Sequence, residues 1–205
     1  MASVEEVILT LPYFGNIDHY AQLLSTDAWI DVHEHYQKQS CRNRMYLCDA
    51  QGRFSLTAPV LHKSGEKETL KEIRLSAKED WQSNHWKAIK SAYGASPFLM
   101  YYEMELKTFF SQDFELLIDL NQAAHEMICG FLKCPIPLRF SESYIESTYG
   151  EDHRGRYKHH FLECETYIQV FTDRQPFFPG LSVLDLILCI GPEALPYLIN
   201  HTFSS

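Results

Sequence analysis

The period of apolar and polar positions changes several times along this chain, and the changes mark its elements. Glu6–Leu11 is short, apolar and partly β-branched, which predicts a strand. Pro12-Tyr13-Phe14-Gly15-Asn16 reads as a turn. Ile17, Tyr20, Ala21 and Leu24 then recur on one helix face, predicting a helix over 17–25. Trp29–His35 alternates again as a second strand. The chain therefore opens strand–turn–helix–strand, a βαβ unit. Met45–Cys48 and Phe54–Val60 are strand-like runs flanking the polar turn Asp49-Ala50-Gln51-Gly52-Arg53, a hairpin signal. Residues 62–68 read as a charged loop and Leu70–Leu75 as a further strand.

The middle of the chain is helical in period. Trp81, His85, Ala88, Ile89 and Ala92 share a face, predicting a helix near 78–93 that Gly94 ends. Ser96-Pro97 starts another helix. Phe114, Leu117, Ile118, Ala124, Ile128 and Phe131 mark a long helix over 113–132, stopped by Pro135 and Pro137. Residues 138–146 read as extended, 149–160 as a polar loop and Tyr167–Phe171 as a short strand. Leu181–Ile190 reads as a buried helix, broken by Gly191-Pro192 and followed by a last helix over 193–200. No repeat or linker interrupts the pattern. The expectation is a single α/β domain over residues 1–205. Its mixed sheet would hold the strands near 6–11, 29–35, 45–48 and 54–60, covered by helices near 81–93, 113–132 and 181–190.

Composition narrows the function classes. A chain of 205 residues suits one core, and 13 Phe, 12 Tyr and 3 Trp make that core bulky. A formal charge of −9 excludes a general nucleic-acid binder and a basic membrane-surface protein. The N-terminus lacks the basic start and apolar run of a secretory signal. The best apolar run, Leu181–Ile190, is short for a bilayer and contains Asp185, so membrane insertion is not expected. The six cysteines form no Cys-x-x-Cys pair; six reduced thiols in a cytoplasmic protein are expected. Cys41 adjoins Arg42, which either lowers its pKa or leaves an ordinary thiol.

Several residue groups could carry chemistry. On a strand, Asp31, His33 and His35 point to one face; they are either metal ligands or a solvated strand face, and no metal is assigned. The stretch from His35 to Arg44 is dense in hydrogen-bond donors and follows a strand. Arg42 and Arg44 can grip a phosphate or carboxylate, while Gln37 and Asn43 suit sugar hydroxyls or amides. The alternative is a solvated loop before a hairpin. Trp81 and His85 stack on one helix face. Asp185 is a carboxylate in an apolar helix and needs a partner, which favours a structural role. No nucleophile elbow, P-loop or dinucleotide glycine motif occurs, and no cofactor is indicated.

An ordered set of segments resembles the WbqC-like protein family, specifically its Bacteroidetes-type branch. The set comprises Tyr13-Phe14, the His35–Arg44 stretch, Leu56-Thr57-Ala58-Pro59-Val60, Trp81 and His85 with Ile89 and Tyr93, Tyr167-x-Gln169-x-Phe171, and the run Pro179–Asp185. The resemblance implies a place in surface-polysaccharide biosynthesis and work on a nucleotide-activated sugar. Many relatives carry His-Gln-Pro-x-Tyr-Phe-Pro after the first strand; here Leu9 and Thr10 replace the His and Gln.

Two functions compete. The first is a group transferase on a nucleotide-activated or phosphorylated sugar. Arg42 and Arg44 would hold phosphate beside Lys38, Gln37 and Asn43 would orient the sugar, and His85 or His35 would be the general base. The second is a non-catalytic ligand-binding or scaffold protein of the same pathway. If the first two strands are parallel neighbours, Tyr13, Gln37, Arg42, Asn43 and His85 should converge on one cleft beyond their carboxyl ends, with a small anionic ligand such as a sugar nucleotide as partner.

Overall fold

The computed structural model describes residues 6–61, 67–77, 80–155 and 164–201. The expected loop at 62–68 and the polar stretch at 149–160 fall partly outside them. β1 (Glu6–Leu9), α1 (Ile17–Ser25) and β2 (Asp27–Ile30) form the expected βαβ unit, with β1 and β2 parallel. Asn16 caps α1, its side chain accepting from the His19 N–H at 3.0 Å.

Later segments complete the sheet. β7 (Arg139–Phe140) adds to β2 and β8 (Glu151–Asp152) adds to β1, both parallel, giving the order β7-β2-β1-β8. The expected hairpin forms between β3 (Arg44–Asp49) and β4 (Gly52–Thr57). It is a separate two-stranded sheet, as is the pair β5 (Val60–Leu61) and β6 (Arg74–Leu75). The fold is α/β as expected, but its strands divide between one parallel sheet and two antiparallel pairs.

The helices are α2 (Trp81–Tyr93), α3 (Leu99–Phe109), α4 (Leu117–Leu132), α5 (Val183–Ile190) and α6 (Ala194–Asn200). One core cluster joins Val7, Leu9 and Ile30 of the sheet to α1, α2, α4 and the fully buried residues of α5. Val183–Asn200 is long and apolar enough for a membrane span, beyond what the shorter run Leu181–Ile190 suggested; 56% of it is buried within the protein.

The other face of the parallel sheet carries Ile8, Trp29 and Arg139, aligned in register across neighbouring strands. Residues 141–150 run from the edge strand β7 to the opposite edge strand β8. Gly150 lies so close to β1 that a Cβ there would sit 2.5 Å from the Glu6 carbonyl oxygen.

Candidate functional site

The four parallel strands end toward one edge, and polar residues follow each of them: Thr10, Asp31, Ser141, and His153 with Arg154. Backbone hydrogen bonds hold them in a row. Asp31 N–H donates to the Leu9 carbonyl at 3.0 Å, Ser141 to Ile30 at 3.0 Å and His153 to Ile8 at 2.9 Å.

The side chains beyond this row form a buried charge network. Arg154 pairs through Nη1 with Asp31, and through Nε and Nη2 with Asp152 at 2.9 and 2.7 Å. Asp31 also accepts from Ser141 Oγ at 3.0 Å and from the Ile145 N–H at 3.2 Å. Arg42 grips Glu34 with both Nε, at 2.9 Å, and Nη2, and donates from Nη2 to the Arg154 carbonyl at 3.2 Å. Arg42 is 1% exposed and Glu34 3%. Burial pushes the Glu34 carboxyl above its ordinary range even with this arginine beside it.

A second buried group lies inward of the hairpin. Tyr13 and His85 share a 3.0 Å hydrogen bond between the phenol and Nδ1. Nearby, Thr57 Oγ1 accepts from Arg44 Nε at 3.0 Å. Burial pulls the His85 pKa down to about 4, so the ring is neutral at pH 7. Asn43 donates to the Ala58 carbonyl at 2.8 Å and receives the Ala58 N–H on its own carbonyl at 2.8 Å. Asn121 bridges the Leu11 and Arg42 carbonyls at 2.9 and 2.8 Å.

The expected site residues therefore fall into two groups. Tyr13, Arg42, Asn43 and His85 are buried together: Tyr13 N–H donates to the Cys41 carbonyl at 2.9 Å, and its phenol meets His85 Nδ1. All four are buried, at 5% exposure or less. Tyr13 is fully buried, edge-on to Phe14 and Trp81, so its ring offers no face to a ligand. His85 is buried, and its Nδ1 is engaged by the Tyr13 phenol. The Arg42 guanidinium is taken up by Glu34, the ion pair that rivals an anion site. The second group is accessible: His35 and Lys38 are exposed, Gln37 and Arg44 half-buried. Among the described residues, no partner engages the Arg44 Nη nitrogens or the side chains of His35, Gln37 and Lys38.

Three further expectations change. β2 ends at Ile30, so Asp31, His33 and His35 do not share a strand face; among the described residues no group of His, Cys, Asp and Glu is arranged to hold a metal. All six cysteines are free, as expected, but burial outweighs Arg42 at Cys41 and pushes its thiol up to about 11. Asp185 has the expected structural role, with no cationic partner among the described residues: it accepts from the Tyr93 hydroxyl at 2.6 Å, from the Tyr167 hydroxyl and from Cys48 Sγ at 3.4 Å. Glu34, Asp152 and Arg154 escaped the sequence reading. Their only signal was charge close to the carboxyl ends of short strands.

The WbqC-like protein family model matches residues 10–156. Neither the curated proteins nor the solved structures contain a match.

Proposed function

The chain belongs to the WbqC-like protein family, and from that membership we propose that it is a cytoplasmic group transferase acting on a nucleotide-activated or phosphorylated sugar in surface-polysaccharide biosynthesis. The observation that carries this reading is the division of the 33–44 segment. Its inner residues Glu34 and Arg42 lock it to the carboxyl ends of the parallel strands, where α/β sheets bind ligands. Its outer residues keep unengaged donors. Arg44 and Lys38 supply the positive charge for a phosphate, and Gln37 supplies amide contacts to a hydroxyl. His35, with an exposed imidazole, takes the general-base role in place of His85. Tyr36 feels both Arg42 and Arg44, which partly offset the burial that lifts its phenol to about 12.

Thermal stabilisation by UDP- and dTDP-sugars tests the binding step. Arg44→Ala and Lys38→Ala together should abolish it while leaving the unliganded melting temperature in place. Stabilisation that persists in the double variant removes the anion site from this segment. Turnover with acyl or aminoacyl donors tests the reaction.

The second reading, a non-catalytic ligand-binding or scaffold protein of the same pathway, is favoured by two observations. His85 is enclosed, and the His-Gln of many relatives is replaced by Leu9 and Thr10, both fully buried. Sugar-nucleotide binding without turnover by any donor class would establish it.

A further inference from the structure

A cavity of about 800 Å³ lies between the outer face of the parallel sheet and residues 141–149. That volume falls within the range of small-molecule sites. Its walls combine three kinds of chemistry. Trp29, Tyr144 and Tyr149 supply aromatic rings, whose faces carry partial negative charge and pack against C–H bonds or cations. Glu142 and Glu146 supply carboxylates, and among the described residues neither has a cationic partner. Arg139 is the wall's cation, and it is committed: its guanidinium lies 3.6 Å from the Trp29 ring centroid and pairs with Asp27 at 3.0 Å.

One donor in this wall is unexplained. The Trp29 indole N–H is shielded from solvent and has no hydrogen-bond partner. At that accessibility no ligand atom reaches the N–H, and what Trp29 offers the cavity is its ring. The wall is also anchored, because Asp31 holds Ser141 and Ile145 while the Arg154 guanidinium lies 4.8 Å from the Tyr144 ring centroid. A nucleotide would find aromatic surfaces here, but its phosphates would meet two unneutralised carboxylates and an arginine already paired. A pyranose fits better: its C–H face lies on the rings and its hydroxyls reach the carboxylates.

We propose that the cavity beneath residues 141–149 is a saccharide site that takes an uncharged or amino-bearing pyranose and rejects anionic sugars. The site is separate from the 33–44 segment. Its failure is distinguishable from that of the transferase reading, because Arg44→Ala should leave saccharide binding intact.

The test is titration of the full chain with methyl β-glucoside, glucosamine and glucuronic acid, following the Trp29 indole resonance, assigned with Trp29→Phe. The first two sugars should shift that resonance, and glucuronic acid should bind about tenfold more weakly. Tyr144→Ala should weaken both productive sugars by about tenfold. The double variant Glu142→Gln, Glu146→Gln should narrow the gap between glucosamine and glucuronic acid. A melting temperature equal to that of the unaltered chain shows that each variant is folded. The proposal is overturned if neither sugar moves the indole, if glucuronic acid binds as well as glucosamine, or if folded Tyr144→Ala binds normally.

Discussion

Arg42 and Arg44 stand two positions apart and do different work. Their polar surroundings were legible in the sequence; the direction of each side chain was not, because β3 begins only at Arg44 and no strand alternation governs Arg42. Removing Arg42 leaves the Glu34 carboxylate buried and unpaired. Arg42→Ala should therefore cost about 3–5 kcal/mol in urea unfolding, whereas Arg44→Ala should stay within about 0.5 kcal/mol. Replacing the pair together, Arg42→Met with Glu34→Leu, should recover most of the loss. If Arg42→Ala is as stable as the unaltered chain, the ion pair does not hold the segment. His85 gives a prediction in pH. Its folded pKa of about 4 lies below the ordinary 6.5, so between those values the unfolded chain binds the proton and the folded chain does not. Stability should be complete above pH 6.5 and fall on acidification, by up to about 1.4 kcal/mol per pH unit from this group. Denaturant titrations at pH 7 and pH 5 should show a smaller drop for His85→Gln than for the unaltered chain. Equal drops would mean that the ring titrates normally.

Several elements departed from their sequence patterns because polar side chains replaced backbone pairing. The strand expected through His35 stops at Ile30, where Asp31 Oδ1 accepts the His33 N–H at 2.9 Å and turns the chain. At Leu70–Leu75 a capping box intervenes: Glu72 accepts from the Thr69 N–H at 3.0 Å and from its hydroxyl at 2.6 Å, starting the 3₁₀ turn Leu70–Glu72 and leaving β6 only two residues. Tyr167–Phe171 forms no strand either. The Gln169 amide meets the Phe178 carbonyl and N–H, each at 2.9 Å, as a neighbouring strand would. Helices were read more closely, since their apolar stripes face one continuous core, and α1 falls on its expected residues. β8 was missed because two polar residues carry no periodicity; only Gly150 hinted at a close approach. Gly150→Ala pushes a methyl group into the β1 backbone, which cannot yield as a flexible side chain would. The expected cost is about 1–3 kcal/mol, with loss of amide protection at Glu151 and Asp152 in hydrogen exchange. Unchanged exchange there would show that residues 141–150 dock loosely.

For the whole molecule, the family match and the core have different boundaries. The match runs from residue 10 to residue 156 and contains three of the four strands of the parallel sheet, β1 lying just before it. Yet the core cluster continues through α5 to Leu198, and Val183, Leu184, Leu186, Ile187 and Leu188 are completely buried in it. α5 also brings Asp185, the acceptor that ties Cys48 of the hairpin, Tyr93 of α2 and Tyr167 together. At the far end, His201 Nε2 meets Asp18 of α1 at 2.9 Å in a buried contact. The sheet itself joins residues more than a hundred positions apart, so no local segment completes it. A chain cut after residue 156 keeps every parallel strand but exposes the apolar surface that α5 covers. It should not fold cooperatively, even though it contains the whole matched region. The full chain should unfold in one transition, with tryptophan fluorescence and far-ultraviolet circular dichroism superimposed. Trp29 reports on the sheet, while Trp81 and Trp86 report on α2. Two separated transitions, or a sharp cooperative transition in the 1–156 fragment, would place the C-terminal helices outside the folding unit.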